Sequence, residues 1–196
     1  MTIDTVGIIA ARGGSIRLPE KNIMQIGGTP LIARVINVAK EAHLLDLLVV
    51  STDDPNIAAV AAQFGVQVIN RPQDIARNDS RIDDAYRHVL AYIESHYNAS
   101  PEIIVGMQAN LPIRKKGEID LVVEQLISYP WATAVATAKK VSERPEWMKC
   151  VKDSVTKEIT PFMDARDQYR TQDLPDLYLL DGAVIAMRSQ VLKDAS

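Results

Sequence analysis

The chain has a single cysteine, Cys150, in 196 residues. One thiol excludes an internal disulfide framework and any zinc site built from several cysteines. No apolar run approaches the ~20 residues that span a bilayer. No basic-then-apolar leader opens the chain, because Asp4 stands where positive charge is expected. Positive charge is not in surplus either. A net charge of -3 and a pI near 5.6 argue against a dedicated nucleic-acid binder. There is no internal repeat and no low-complexity segment. A composition 47% hydrophobic and 24% charged is that of an ordinary globular protein. The expectation is one cytoplasmic domain over residues 1–196, with neither nucleic acid nor membrane as a partner.

What is present is concentrated near the start. The apolar run Val6–Ala11 reads as a buried strand, and it breaks into a loop carrying Arg12, Gly13, Gly14, Ser15, Arg17 and Lys21. Glycine lets backbone approach a phosphate and turn its N–H groups inward. Arginine and lysine balance phosphate charge. The loop lacks the Gly-Lys-Ser/Thr ending of a Walker loop, and it is not Gly-x-Gly-x-x-Gly. It points to a polyphosphate site of a less common kind.

Apolar runs alternate with amphipathic stretches along most of the chain. Val6–Ala11, Leu47–Ser51, Val66–Ile69, Ile103–Met107 and Ala132–Ala138 read as short buried strands. Pro30–Ala42, Pro55–Phe64, Ile82–Ser95 and Gly117–Ser128 carry helix-period apolar spacing. Gly65 reads as a helix stop. Asp53 and Asp54 admit two readings, metal ligands or a helix start before Pro55, and the Asp-Asp-Pro order favours the start. The alternation predicts an α/β fold: a three-layer α/β/α arrangement around a mostly parallel sheet. Ligands bind such sheets outside the carboxyl ends of the strands, where the Arg12–Lys21 loop would lie. From 139 to 178 the pattern changes to a charge-rich stretch that holds Trp147, Met148, Phe162 and Met163. So many large apolar groups suit an extension used for oligomer contact better than a linker. Strand character resumes at Gly182–Met187.

Ala10-Ala11-Arg12-Gly13-Gly14-Ser15 followed by Leu18-Pro19-x-Lys21-Asn22 resembles the N-terminal signature of the CMP-N-acylneuraminate synthetases, or acylneuraminate cytidylyltransferases. Val50-Ser51-Thr52-Asp53-Asp54, Asn70-Arg71-Pro72, Gln108-x-x-x-Pro112-x-Arg114, Gln172-Asp173-Leu174-Pro175 and Asp181-Gly182-Ala183 resemble further segments of that family, in the same order. The order Ser15-x-Arg17-Leu18-Pro19-x-Lys21 also resembles the CMP-3-deoxy-manno-octulosonate synthetases.

The resemblance implies a fold like that of the nucleotide-diphospho-sugar transferases. It also implies transfer of CMP from CTP to the anomeric hydroxyl of a sialic-acid-like nonulosonic sugar, with release of pyrophosphate. Arg12 and Lys21 would hold the triphosphate within a nucleotide site made of Ala11, Arg12, Gly13, Gly14, Ser15, Arg17, Lys21, Asn22 and Arg71, of which Asn22 and Arg71 would meet the cytosine. Gln108 falls at the sugar. Arg166 and Arg170, with Lys139 and Lys140, would reach a neighbouring subunit's sugar carboxylate in a homodimer. Arg12, Lys21 and Asp181 are the catalytic candidates.

Magnesium is the implied cofactor, and no ligand for it is assigned. Paired aspartates, which the resemblance places near the C-terminus, do not appear after the Gly182–Met187 strand. Other departures are Ile16 for a lysine, Asp181 for an asparagine and Ile185 for a tyrosine. They keep open a 3-deoxy-octulosonate synthetase or other sugar nucleotidyltransferase, and a non-catalytic nucleotide-binding homologue. His43, His88 and His96, set on predicted helices, have no metal-ligand partner at useful spacing, and Cys150 has no evident histidine partner.

Overall fold

The computed structural model describes residues 2–15, 18–111, 113–163, 170, 172 and 174–194. These form two compact units: Met1–Thr137 with Gly182–Ser196, and Ala138–Asp181.

The first unit is built on strands β1 (Thr5–Ala10), β4 (Leu47–Thr52), β5 (Gln67–Asn70) and β6 (Ile103–Gln108). A small antiparallel pair, β2 (Gln25–Ile26) and β3 (Thr29–Pro30), turns through Gly27 and Gly28. Helices α1 (Leu31–Lys40), α2 (Pro55–Gln63), α3 (Ile82–Tyr97) and α4 (Glu118–Ser128) connect the strands, and α5 (Ser189–Asp194) follows the last one. β7 (Ala134–Val141) and β10 (Leu177–Arg188) complete a six-stranded sheet in the order β5-β4-β1-β6-β10-β7. β1 pairs parallel with β4 and β6, and β4 with β5, whereas β10 runs antiparallel to β6. The expectation of a mostly parallel sheet therefore holds, with an antiparallel element where the apolar alternation weakens.

Side chains leave a strand on alternate faces, and both faces of the sheet are covered. Ile9, Val50, Val105 and Met107 pack with Ile32, Val35 and Ile36 of α1, Ile57 and Ala61 of α2, and Val122, Val123 and Leu126 of α4. Val6, Ile8, Val49 and Ile104 pack with Tyr86, Val89, Leu90 and Ile93 of α3 and Leu192 of α5. Adjacent residues of β1 and β6 thus feed opposite cores, which is why these strands read as continuous apolar runs.

The helix ends follow local chemistry. Asp54 stands outside α2 in an extended conformation and accepts the N–H groups of Asn56 at 2.7 Å and Ile57 at 3.1 Å. That supports the helix-start reading of Asp53-Asp54-Pro55. Gly65 adopts a φ of 67° just past α2, and Lys40 Nζ caps the Phe64 carbonyl at 3.0 Å. α1 is shorter than its periodicity predicts. It ends at Lys40, so His43 is not helical; its N–H, like that of Leu44, is held by the Asp120 carboxylate.

The second unit carries the antiparallel pair β8 (Lys149–Val151) and β9 (Ile159–Pro161), with Cys150 opposite Thr160. Lys140 pairs with Asp176 at 2.7 Å, and Arg144 Nη1 donates to the Pro175 carbonyl at 2.5 Å. Trp147, Met148, Phe162 and Met163 are exposed.

Gly106, at the middle of β6, admits the buried ring of Tyr86. A Cβ there would stand 2.3 Å from Tyr86 Oη and 2.5 Å from Cζ. Gly106→Ala should destabilise the protein by about 1–3 kcal/mol, the usual range for overpacking a well-filled core. Chemical denaturation would show a lower midpoint at unchanged slope; an unchanged midpoint would contradict the packing described.

Candidate functional site

The loop after β1 is fixed from several directions. Ala11 continues the strand by one residue, donating its N–H to the Ser51 carbonyl at 3.0 Å. Gly13 N–H donates to Asp53 Oδ1 at 3.0 Å, and Ser15 N–H to the Gly13 carbonyl at 2.8 Å. The buried Asn22 side chain donates Nδ2–H to the Arg12 carbonyl at 3.0 Å. Lys21 begins a single 3₁₀ turn, Lys21–Ile23, after Glu20 in the left-handed region at φ 53°. The turn brings Lys21 and Asn22 back beside Arg12.

Arg71 leaves the end of β5 and is buried. Its Nη2 donates to the Ser51 carbonyl at 2.7 Å and its Nε to Ser51 Oγ at 3.1 Å, while its backbone N–H joins the Thr52 carbonyl at 2.8 Å. Burial lowers its pKa, because a guanidinium away from water loses hydration; nearby Asp53 acts the other way. Across the sheet, Arg114 donates to the Gln108 carbonyl at 2.5 Å and to the Ala183 carbonyl, tying β6 to β10. The Gln108 side chain lies under Gly182, where a Cβ would meet it at 3.0 Å.

These pieces enclose one cleft of about 620 Å³. It lies at the carboxyl ends of the parallel strands. The chain builds outward from β1 through β4 to β5 and then crosses back to β6, so β1 and β6 flank the switch point where such folds take ligands. The cleft brings together six expected residues: Arg12, Ser15, Lys21, Asn22, Arg71 and Gln108. Ala11, Gly13 and Gly14 support the loop without lining the cleft. Gly13 differs from the reading that its N–H faces a phosphate, since Asp53 takes that N–H. Arg170 and Asp181 belong to the second unit. Arg17 and Arg166 lie outside the described residues.

The cleft also contains residues that sequence reasoning missed: Arg77, Asn78, Ser80 and Arg81, from the segment between β5 and α3. Arg12 Nη1 donates to the Arg77 carbonyl at 2.5 Å, and Arg77 N–H donates to Ser80 Oγ at 3.0 Å. The available signal was two arginines four residues apart just after Arg71-Pro72; charged loop residues are ordinarily only solvated. No carboxylate lines the cleft among the described residues.

The two glycines of the loop make unequal demands. A Cβ on Gly13 would stand 2.4 Å from Asp54 Oδ2, whereas on Gly14 it would meet only Asn78 Oδ1, at 4.0 Å. Gly13→Ala should cost about 1–3 kcal/mol, through overpacking against Asp54 and displacement of the Gly13 N–H from Asp53. Gly14→Ala should lie within about 0.5 kcal/mol of the parent. Equal melting temperatures for the two variants would refute this assignment.

Comparison with known proteins agrees with the sequence reading. Residues 6–194 match the Cytidylyltransferase family. The chain is 30% identical over 193 residues to a CMP-N,N'-diacetyllegionaminic acid synthase of Legionella pneumophila, covering 97% of this chain and 81% of that protein. It is 35% identical over 153 residues to a mitochondrial 3-deoxy-manno-octulosonate cytidylyltransferase of Arabidopsis thaliana, covering 76% of this chain but only 50% of that protein. In fold it resembles a CMP:2-keto-3-deoxy-manno-octonic acid synthetase complexed with CTP, with a TM-score of 0.71 at 22% identity over 98% of this chain and 77% of the other. With the family matched from the first strand to the last helix and the cleft at the switch point of the sheet, the chain belongs to the cytidylyltransferase family.

Proposed function

We propose that the protein transfers CMP from CTP to the anomeric hydroxyl of an acidic nonulosonic sugar. The observation that carries this reading is the cleft at the β1–β6 switch point, cationic through Arg12, Lys21 and Arg71 and free of described carboxylates. The sugar class is supported by the legionaminic acid synthase, which aligns with nearly the whole chain. A 3-deoxy-octulosonate acceptor is the second reading, favoured by the fold likeness to a synthetase of that sugar and by the plant relative.

In the reaction the oxygen of the anomeric hydroxyl attacks the α-phosphorus, the bond from that phosphorus to the oxygen bridging to the β-phosphate breaks, pyrophosphate leaves with its charge, and the hydroxyl proton passes to solvent. Such a step needs alignment and charge neutralisation more than a covalent nucleophile. Arg12 and Lys21 supply cations to the triphosphate. Asn22, whose amide nitrogen is spent on the Arg12 carbonyl, and Arg71, spent on Ser51, form the cytosine end of the cleft. Gln108 stands at the acceptor end. Asp181, Arg166 and Arg170 belong to the acceptor side of a homodimer, formed through the exposed apolar groups of residues 139–178.

Magnesium does not fit the described residues as a protein-held ion. Asp53 and Asp54 each accept backbone N–H groups, and neither lines the cleft. No step here is routed through a metal.

CTP should raise the melting temperature more than ATP, GTP or UTP, because a ligand that binds only the native state stabilises by mass action. Equal shifts from all four would defeat the cytosine assignment. Pyrophosphate release from CTP with a panel of nonulosonic acids and 3-deoxy-octulosonate then identifies the acceptor, and silence with every acceptor would favour a non-catalytic homologue. Sedimentation should give a dimer, and Phe162→Glu with Trp147→Glu should shift it to monomer. A monomeric parent would remove the shared site from the proposal.

A further inference from the structure

We infer that Arg77 and Arg81 form a second wall of the polyphosphate site, facing the loop that carries Arg12 and Lys21. This rests on the reading of the cleft as a nucleotide site.

The first unit contains eight described arginines, and six have at least one guanidinium N–H bonded to the protein itself. Arg12 donates to the Arg77 carbonyl, Arg34 to the Ile26 carbonyl and Arg71 to Ser51. Arg87 serves Asp84 and the Leu192 carbonyl, Arg114 serves Gln108 and Ala183, and Arg188 serves Ala132 and Leu126. Arg77 and Arg81 differ. Each is exposed, neither guanidinium has a hydrogen-bond or ion-pair partner among the described residues, and both line the same cleft. Asp79, the acid between them, does not line it. Two uncommitted guanidinium groups at one concave site suit an anion, since their planar forks grip phosphate oxygens in pairs.

Geometry places them at the phosphate end of the cleft. The Arg77 carbonyl is 2.5 Å from Arg12 Nη1. Asn78 Oδ1 is 4.0 Å from the point where a Cβ on Gly14 would sit. The segment is also braced: Ser80 Oγ accepts Arg77 N–H at 3.0 Å and reaches the Asp74 carbonyl at 3.4 Å. That bracing shapes the turn carrying both arginines, and the Arg12–Arg77 bond ties it to the loop after β1. Where no described carboxylate stands ready to place a metal on the phosphates, these side chains add two positive charges to that end.

The test compares CTP, CMP and inorganic pyrophosphate by titration calorimetry on the parent, Arg77→Gln, Arg81→Gln and the double variant. Lysine at each position separates charge from fork geometry. Both side chains are exposed and unpaired, so melting temperatures should stay at the parent value. CTP and pyrophosphate should bind about tenfold more weakly for each arginine removed, as for loss of one charged phosphate contact. CMP should stay within about twofold of the parent, and lysine should recover part of the loss. Equal weakening of CMP and CTP would overturn the inference, because the arginines would then serve base, ribose or fold. So would unchanged CTP affinity. If the parent prefers no nucleoside triphosphate over another, the cytosine assignment fails while the contrast between triphosphate and monophosphate still decides this one.

Discussion

The site depends on one oxygen. The Ser51 carbonyl, fully buried at the end of β4, accepts the Ala11 N–H from one side and the Arg71 guanidinium from the other. It thereby joins the exits of β1 and β5 across β4. Asp53, two residues on, holds Gly13 N–H and favours the Arg71 charge. The loop carrying Arg12 is therefore seated by the strands before any ligand contributes, which suits chemistry limited by alignment.

The fold was legible where a single rule acts alone. The apolar runs of β1, β4 and β6 are buried on both faces, so their composition identified them at once. Pro55 after Asp53-Asp54 and Gly65 after Phe64 marked the ends of α2 because caps are local. β10 was read short, and β7 was read two residues early at its start and three short at its end. β7 lies at the edge of the sheet with no buried residue, and β10 has exposed residues before Gly182, so neither has a strong apolar period along its length. His43 was assigned to a helix because apolar spacing runs past Lys40. The Asp120 carboxylate from α4 takes the His43 N–H just past that helix, a contact 77 residues away.

The candidate site was legible as a loop and not as a surface. Arg12, Lys21, Asn22 and Arg71 stood out through their motif order. Arg77 and Arg81 did not, since a charged pair in a connection carries no period and no partner that a sequence can display. At Gly13 a second demand was illegible for a related reason. Glycine next to arginine suggests backbone offered to a ligand, but the pressure on that position comes from Asp54 beneath it.

β7 and β10 are neighbours in the sheet, and the chain between them, 142–176, leaves the end of one and returns at the start of the other, with Gly182 of β10 at a φ of 74°. The excursion leaves and re-enters the sheet at adjacent strands, so the sheet closes its hydrogen bonds whatever length or sequence lies between. Glycine at the re-entry point lets the backbone turn without asking for a particular neighbour. The nucleotide half and the excursion can accordingly change at different rates. Changes of length between 142 and 176 would therefore leave the pairing of β7 with β10 and the Ser51 junction untouched.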